Sequence, residues 1–185
     1  MITGGAPAVG VVVMKAYAKL NLTLEILGRR YDGYHLIRSL VQRLDLHDLV
    51  RLEELPEPGA VELSSEMSPS IAPYSEPLPP PEVDLAYRAA KLIINQRGIS
   101  RGVRVSIRKR IPVAAGLGGG SADAAAVLMG LDRLWRLGLS LQEMERLALG
   151  LGSDVPCCLR DGASVIEGIG DEVRGVRGNW KAWAV

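Results

Sequence analysis

The chain has 185 residues, a formal net charge of +1 at pH 7 and no phenylalanine. A charge so close to zero gives no electrostatic argument for nucleic acid or an acidic membrane surface as a partner, and the length allows one or two domains with a buried core. The two cysteines, Cys157 and Cys158, are neighbours. Because adjacent cysteines seldom bridge, we expect two buried or half-buried thiols and a reducing, cytoplasmic compartment.

The first residues of the chain are small and apolar. Residues 1–13 lack the basic segment and the cleavage site of a secretory signal peptide, and no apolar run in the sequence is long enough to span a membrane. Met14 opens a stretch that itself resembles the start of a protein. We therefore expect residues 1–14 to be an extension without a role in function, followed by a domain over residues 15–176.

The first third of the sequence alternates between apolar and polar residues, a pattern typical of strands. Leucine and isoleucine at every second position between Leu20 and Ile26 define the first strand, and a polar turn at 29–33 follows it. Segment 64–83 is rich in Ser, Pro and Glu, which predicts a surface loop. The predicted strands are residues 15–28, 35–46, 48–55 and 60–63, the second and third joined near His47 and Asp48.

The rest of the sequence combines helix signals with strand signals. Asp84 is a predicted N-cap, and Ser140 with Glu143 forms a capping box for a later helix. The predicted helices are 85–96, a long helix that follows a glycine-rich loop and ends at about 137, and 140 to just before 150. The predicted strands are 102–110, 163–167, 172–176 and one beginning at 180. This order does not alternate as in βαβ units. It predicts an α+β fold with helices packed on one face of a mixed or antiparallel sheet.

The most informative stretch runs from Pro112 to Asp123 and joins a predicted strand to a predicted helix. Glycines allow the backbone to come close to a ligand, and a helix N-terminus offers unpaired N–H groups. This stretch therefore predicts a phosphate site. It is not a Walker A loop, because no lysine precedes Ser121, and it fits a Rossmann fingerprint poorly, because the sixth position is Ser121 or Asp123. A tight turn without a ligand is the alternative. Asp123 itself is typical of a helix-dipole residue.

Five residues outside this loop are candidates for chemistry, although each has an ordinary structural explanation. Lys19 and Asn21 share one face of the first strand, but a strand lysine can also extend to solvent. Asp154 lies in a glycine-bounded turn, where aspartate is common for structural reasons. Tyr34 and His35 follow a turn and are equally typical of a surface.

Several short motifs occur together in a fixed order. They are Ala18–Leu22, Asp32–His35, Lys109–Pro112, Gly116–Ser121, Leu151–Pro156 and Gly168–Asp171. In this combination the chain, from about residue 15 onwards, resembles the GHMP kinase superfamily and, within it, the family of 4-diphosphocytidyl-2-C-methyl-D-erythritol kinases. The glycine segment specifies only the superfamily, whereas the Asp-Gly-Tyr-His and Gly-Ser-Asp-Val-Pro segments specify the family.

This resemblance implies a GHMP kinase N-terminal domain, of the ribosomal protein S5 domain 2 type. It implies ATP-dependent phosphorylation of the 2-hydroxyl of 4-diphosphocytidyl-2-C-methyl-D-erythritol in non-mevalonate isoprenoid biosynthesis, with Mg²⁺ as the metal. Asp154 would be the general base with Lys19 beside it, Tyr34 and His35 would bind the cytosine, and Asn21 the diphosphate or erythritol part. The residues implied for ATP are Pro112, Val113, Ala114, Ala115, Gly116, Leu117, Gly118, Gly119, Gly120, Ser121 and Ala122, with Ser121 also the implied Mg²⁺ ligand.

The chain departs from the family's usual pattern in two ways. Tyr17, Asp84 and Ala122 stand where members usually have Pro, Asn and Ser, and the family's C-terminal lobe is missing, so residues 177–185 are expected to begin a truncated second domain. We expect a small-molecule substrate, a monomer or weak homodimer, and a cytoplasmic location in a bacterium or a plastid. The alternatives are another GHMP kinase, of homoserine or mevalonate type, or an inactive nucleotide-binding fragment.

Overall fold

A computed structural model describes residues 10–176, and its sheet is organised around one long strand. The strands are β1 (Val11–Arg29), β2 (His35–Leu55), β3 (Val61–Met67), β4 (Gly102–Lys109), β5 (Ala163–Glu167) and β6 (Glu172–Val176), and the helices are α1 (Leu85–Arg97), α2 (Gly119–Trp135), α3 (Leu141–Leu149) and α4 (Val155–Cys158). The long strand β2 pairs with β1, with β4 in its second half and with β5 in its first half. Because β3 is parallel to β4 while these pairings are antiparallel, the sheet is mixed, as predicted.

The helices pack on one face of the sheet, which confirms the predicted architecture. Buried aliphatic side chains of β2 and β4, among them Leu52 and Val105, meet Val127, Leu128 and Leu131 of α2 in one core. The opposite face carries charged residues in pairs, such as Arg104 of β4, whose Nε donates to Glu62 of β3 at 2.7 Å. Within residues 10–176, no helix has both the length and the apolar character needed to cross a membrane.

The capping signals place two helices where the sequence predicts them. Asp84 Oδ1 accepts the N–H of Ala86 at 2.7 Å, and Gly98 ends α1 with a φ of 59°. Ser140 and Glu143 form the capping box at the start of α3. The hydrogen bonds that Glu143 accepts from the backbone N–H and the hydroxyl of Ser140 lower the pKa of Glu143 to about 2.

Several predicted boundaries in the first half of the chain are wrong. The strands expected over 35–46 and 48–55 are one continuous β2, and β3 extends to Met67, into the expected loop. β1 begins at Val11, so part of the predicted N-terminal extension belongs to the sheet. That residues 1–14 have no role in function stays a prediction, and the strand expected from 180 and the second domain expected from 177 lie outside the described residues.

The charged residue at the predicted join explains the error in β2. Asp48 interrupts an apolar pattern, and an aspartate between two apolar runs usually indicates a turn. Here Asp48 lies inside the strand and is fully buried, because Lys109 of β4 compensates its charge. A side-chain ion pair across the sheet leaves no signal in the local sequence. The short helix α4 was also missed, since only a turn is expected over 151–156.

Gly130 sets how closely α2 approaches the sheet. A Cβ at Gly130 would collide with Leu52 Cδ1 and lie 3.1 Å from Met14 Cγ. We therefore expect Gly130→Ala to lower the free energy of unfolding by about 1–3 kcal/mol, as overpacking does, although alanine favours helix by about 1 kcal/mol. Urea unfolding measures this change. Gly28→Ala is the control, since its Cβ meets nothing within 4 Å, and equal midpoints for the two variants would contradict the close approach.

Candidate active site

The glycine loop between β4 and α2 contains three residues in the left-handed region. Ala114, Gly116 and Gly118 have φ values of 62°, 76° and 69°. For Ala114 this conformation costs about 1–2 kcal/mol because of its Cβ, and backbone strain of this kind concentrates at functional sites. These three residues change the direction of the backbone between the end of β4 and the N-terminus of α2 at Gly119.

Hydrogen bonds hold the loop from both sides. The backbone N–H of Lys19 in β1 donates to the carbonyl of Leu117 at 2.9 Å. On the other side, the N–H of Val113 donates to Ser75 Oγ at 3.2 Å, and the N–H of Glu76 donates to the carbonyl of Val113 at 3.3 Å. The loop is therefore fixed to β1 and to the segment after β3 without any ligand.

A buried ion cluster ties the two ends of the loop together. Lys109, the last residue of β4, pairs with Asp48 Oδ2 and, at 2.5 Å, with Asp123 Oδ2 of α2. Asp48 Oδ1 accepts the N–H of Arg110 and, at 2.8 Å, that of Ile111. Three consecutive residues at the start of the loop thus bind one aspartate, and Lys109 links them to the helix that leaves the loop.

Burial changes the charges of this cluster. Desolvation raises the pKa of Asp123 to about 8, against the opposing effect of Lys109. Burial acts to lower the pKa of Lys109, but the carboxylates of Asp123 and Asp48 outweigh it and raise that pKa above its ordinary value. The prediction of Asp123 as a helix-dipole residue is therefore wrong, since Asp123 is 3% exposed and ion-paired with Lys109. Its Oδ1 has no hydrogen-bond partner among residues 10–176.

Lys19 and Asp154, predicted as a pair, meet at the edge of the loop. Lys19 Nζ lies 3.2 Å from Asp154 Oδ2 and donates to Asn21 Oδ1 at 3.3 Å. The Lys19 side chain is 9% exposed, so the alternative that this lysine extends to solvent is wrong. The Asp154 side chain is 46% exposed. Asp154 precedes α4 but makes no capping bond with its side chain. An accessible carboxylate held beside a buried ammonium can accept a proton from a bound hydroxyl.

These elements enclose a cavity of about 430 Å³, a size that suits a small-molecule ligand. Its walls are the glycine loop, the Lys19–Asp154 pair, the Lys109–Asp123 pair and the start of α1. Of the residues implied for ATP, all from Pro112 to Ser121 line it. Ala122 does not, because it is buried against the core. Leu78, Pro79, Val83, Asp84 and Leu85 complete the lining.

Tyr34 and His35, the two residues predicted to bind cytosine, lie away from this cavity. Tyr34, just before β2, and His35, the first residue of β2, are both exposed. In the register of β1 with β2, His35 lies opposite Arg29, whereas Lys19 lies opposite Arg43. The eight residue-to-residue steps from His35 to Arg43 span about 27 Å of fully extended strand. Their role in binding a base stays a prediction.

Sequence reasoning missed the roles of Asp48 and Lys109. Lys109 begins one of the quoted motifs, and an acidic partner for a lysine at the end of a buried strand is a reasonable expectation. Which acid it meets depends on the pairing of β2 with β4, which the sequence does not show. Asp48 belongs to none of the quoted motifs, so only the register of β2 with β4 shows that it meets Lys109.

The region that forms the cavity matches a known family. Residues 84–162 match the family described as GHMP kinases N terminal domain. This segment is a GHMP kinase N-terminal domain. The match begins at Asp84, the N-cap of α1, and includes β4, the glycine loop and helices α2 to α4. The expected fold is therefore confirmed.

Individual relatives of this GHMP kinase domain support the same assignment. The chain is 45% identical over 174 residues to the 4-diphosphocytidyl-2-C-methyl-D-erythritol kinase of Alkaliphilus metalliredigens, covering 94% of this chain and 57% of that protein. A crystal structure of a 4-(cytidine 5'-diphospho)-2C-methyl-D-erythritol kinase matches with a TM-score of 0.69 at 36% identity, covering 89% of this chain and 55% of that one. The resemblance found in the motifs is thus confirmed.

More distant proteins share the fold alone. The mevalonate kinase of Methanococcus jannaschii has 14% identity and a TM-score of 0.62, over 94% of this chain and 57% of its own. At this identity the likeness does not favour a mevalonate-type kinase. The chain spans 55–57% of the length of these three proteins.

Gly118 of the glycine loop lies against the side chain of Lys19. A Cβ there would lie 2.8 Å from Lys19 Cγ and 2.9 Å from Lys19 Cε. We expect Gly118→Ala to lower the free energy of unfolding by about 1–3 kcal/mol more than Gly116→Ala, because only the first adds overpacking. Gly116 has a similar φ of 76°, but a Cβ there meets nothing within 4 Å. Thermal and urea unfolding of both variants measure the difference, and equal losses would mean that Lys19 moves aside freely.

Proposed function

We propose that this chain is the nucleotide-binding part of an ATP-dependent kinase that phosphorylates the 2-hydroxyl of 4-diphosphocytidyl-2-C-methyl-D-erythritol. The observation that carries the proposal is the Lys19–Asp154 pair, at 3.2 Å, on the same cavity as the glycine loop. The similarity to kinases of that name, at 45% and 36% identity, supports the choice of substrate. The proposal covers a whole enzyme, of which this chain spans a little more than half.

The chemistry assigns Asp154 the role of general base. Its carboxylate, open to the cavity, would accept the proton of the attacking hydroxyl as the new oxygen–phosphorus bond forms. The Lys19 ammonium would stabilise negative charge on the reacting oxygens, since phosphoryl transfer depends mainly on positioning and electrostatic stabilisation. Asn21, which accepts a hydrogen bond from Lys19, would orient that ammonium and hold the diphosphate or erythritol part.

The loop from Pro112 to Ser121 would hold the phosphates of ATP. Backbone N–H groups at the start of α2 are unpaired within the helix and lie at the positive end of its dipole. Ser121 lines the cavity, and its hydroxyl suits Mg²⁺, which prefers oxygen ligands and takes most of them from phosphates and water. When bound, Mg²⁺ neutralises charge on the transferring phosphoryl group.

The acceptor substrate would reach the site along β1 and the start of β2. Tyr34 and His35 combine an exposed aromatic face with a hydrogen-bonding ring, which suits a cytosine. The proposed location is the cytoplasm, where the free thiols Cys157 and Cys158 remain reduced. A monomer or weak homodimer is the proposed assembly.

An ADP-release assay on the chain tests this function. We expect ADP release that requires the cytidylyl substrate and does not occur with homoserine or mevalonate as the acceptor. Release with either alternative acceptor would favour another GHMP kinase activity. Nucleotide binding without substrate-dependent release would leave only the nucleotide-binding alternative for this chain.

A further inference from the structure

The two cysteines of the chain meet at the backbone of Asp154, the proposed base. Cys157 and Cys158 are consecutive residues of α4, the short helix that Asp154 precedes, and both thiols are free. Cys157 Sγ donates to the carbonyl oxygen of Asp154 at 3.1 Å, and Cys158 Sγ donates to the same oxygen at 3.3 Å. Consecutive side chains of a helix usually point apart. Here both sulfurs lie beside one atom.

A second, small pocket lies beside these thiols, between α4 and strands β1, β2 and β5. Its volume is about 10 Å³, close to the minimum of about 10–15 Å³ that holds one water molecule, so it has room for a single ion but not for an organic ligand. Cys157 is buried against Val41 and Ile166, whereas Cys158 is half-buried, so the pair is not sealed from solvent. The lining residues are Tyr17, Ala18, Lys19, Val41, Arg43, Cys157, Cys158, Arg160, Gly162 and Ser164.

The number and type of ligands limit which ion this pocket holds. Within residues 10–176, no group of three or more His, Cys, Asp or Glu side chains is arranged to hold a metal ion. Zn²⁺ takes at least three protein ligands, and Mg²⁺ and Ca²⁺ prefer oxygen, so none of them suits a pair of sulfurs. Thiolates are soft ligands that select Cu(I), and a monovalent ion with a filled d shell is satisfied by two of them.

The charges around the pocket suit the complex that two thiols form with such an ion. Two thiolates and one monovalent cation carry one net negative charge. Of the described residues that line the pocket, three are basic and none is acidic. The three are Lys19, Arg43 and Arg160, and each forms a salt bridge with an acid outside the lining. The basic lining therefore compensates an anionic complex.

We propose that Cys157 and Cys158 form a two-coordinate site for Cu(I), and that occupation of this site displaces Asp154 and inactivates the kinase. As the ion binds, two S–Cu bonds form and two S–H bonds break, both protons pass to solvent, and copper and sulfur keep their oxidation states. The loss of activity rests on the proposed function, whereas the site itself does not.

Occupation of the pocket acts on Asp154 in two ways. The carbonyl of Asp154 loses two thiol donors, and negatively charged sulfurs face that oxygen in their place. Lys19 lines both this pocket and the active-site cavity, and its Nζ lies 3.2 Å from Asp154 Oδ2. An anionic complex beside Lys19 competes with Asp154 for the ammonium. The backbone and the ion pair of Asp154 are therefore disturbed together.

Anaerobic titration of the 185-residue chain with Cu(I), in competition with a chromophoric Cu(I) chelator, tests the site. We expect one ion per chain. Cys157→Ser and Cys158→Ser should each weaken binding by more than about 100-fold, because even the loss of an outer-shell partner costs about 10–100-fold. Met67→Leu is the matched control, since Met67 is a sulfur side chain that lines neither cavity, and it should leave the affinity unchanged.

Two measurements on the unaltered chain complete the test without any substitution. X-ray absorption of the chain loaded with Cu(I) should show two sulfur neighbours of the metal. The amide resonance of Val155, whose nitrogen is bonded to the Asp154 carbonyl carbon, should shift when one equivalent of Cu(I) is added. The same equivalent should abolish substrate-dependent ADP release, and the two serine variants should retain their ADP release in its presence.

Each contrary outcome overturns a stated part of the proposal. Unchanged affinity in the serine variants, or an ion shared between two chains, would overturn the site. Tight binding with an unshifted Val155 resonance and unchanged ADP release would overturn the displacement of Asp154. If the chain releases no ADP even without copper, the proposed function fails, and the titration, the absorption spectrum and the Val155 resonance still decide the site and the displacement.

Discussion

Asp154→Asn should reduce substrate-dependent ADP release by about 10²–10⁴-fold, the usual contribution of a general base. Asparagine has nearly the same shape, but its amide cannot accept the hydroxyl proton as a carboxylate does. The nucleotide should still bind with nearly unchanged affinity, because the glycine loop is held by Lys19, Ser75 and Glu76 and not by Asp154. Steady-state kinetics and nucleotide titration on the same preparation measure both quantities.

Asp45→Asn is the control for this experiment. It makes the same chemical change at an exposed aspartate outside the cavity lining, so it should leave ADP release unchanged. Turnover that survives Asp154→Asn would exclude Asp154 as the base. Loss of nucleotide affinity together with turnover would instead mean that the Lys19–Asp154 pair shapes the glycine loop.

Lys19 joins the glycine loop and Asp154 into one unit. Its backbone N–H binds the carbonyl of Leu117, its stem passes close to Gly118, and its ammonium binds Asp154 and Asn21. One residue of β1 therefore sets the distance between the glycine loop and Asp154, the proposed base. Phosphoryl transfer depends on this kind of positioning more than on covalent chemistry.

Local signals were sufficient for much of the fold. The caps at Asp84 and Ser140 act within one helical turn, so the sequence alone locates α1 and α3. The strands β5 and β6 also match their predicted ranges, since Gly and Asp residues bound each of them. The contact between Lys19 and Asn21 follows from the two-residue period of a strand.

Features that depend on distant residues were not accessible in this way. The ion cluster joins Asp48, Lys109 and Asp123 from three separate elements. The two aspartates each have a local explanation that is wrong: Asp48 as a turn residue, and Asp123 as a helix-dipole residue. Only the register of β2 with β4 and the direction of the glycine loop bring their charges together.

Lys109→Met should lower the free energy of unfolding by about 3–5 kcal/mol, the usual loss when one partner of a buried ion pair is removed. The substitution retains an unbranched side chain of similar length but leaves the carboxylates of Asp48 and Asp123 buried without a cation. The start of the glycine loop should loosen as well, because Asp48 also holds Arg110 and Ile111. Urea unfolding followed by circular dichroism measures the loss.

The loss caused by Lys109→Met should increase as the pH rises above about 8. Burial already raises the pKa of Asp123 to about 8, and removal of Lys109 removes an effect that lowers it. Between about pH 4 and 8 both proteins lose stability alike, because native Asp123 keeps a proton that the unfolded chain has released. Above about pH 8 Asp123 keeps that proton only in the variant, so only the variant continues to lose stability. Arg104→Met, on the same strand but in an exposed pair with Glu62, should change the urea midpoint little at any pH. Equal behaviour of the two variants would show that the buried cluster does not stabilise the base of the loop.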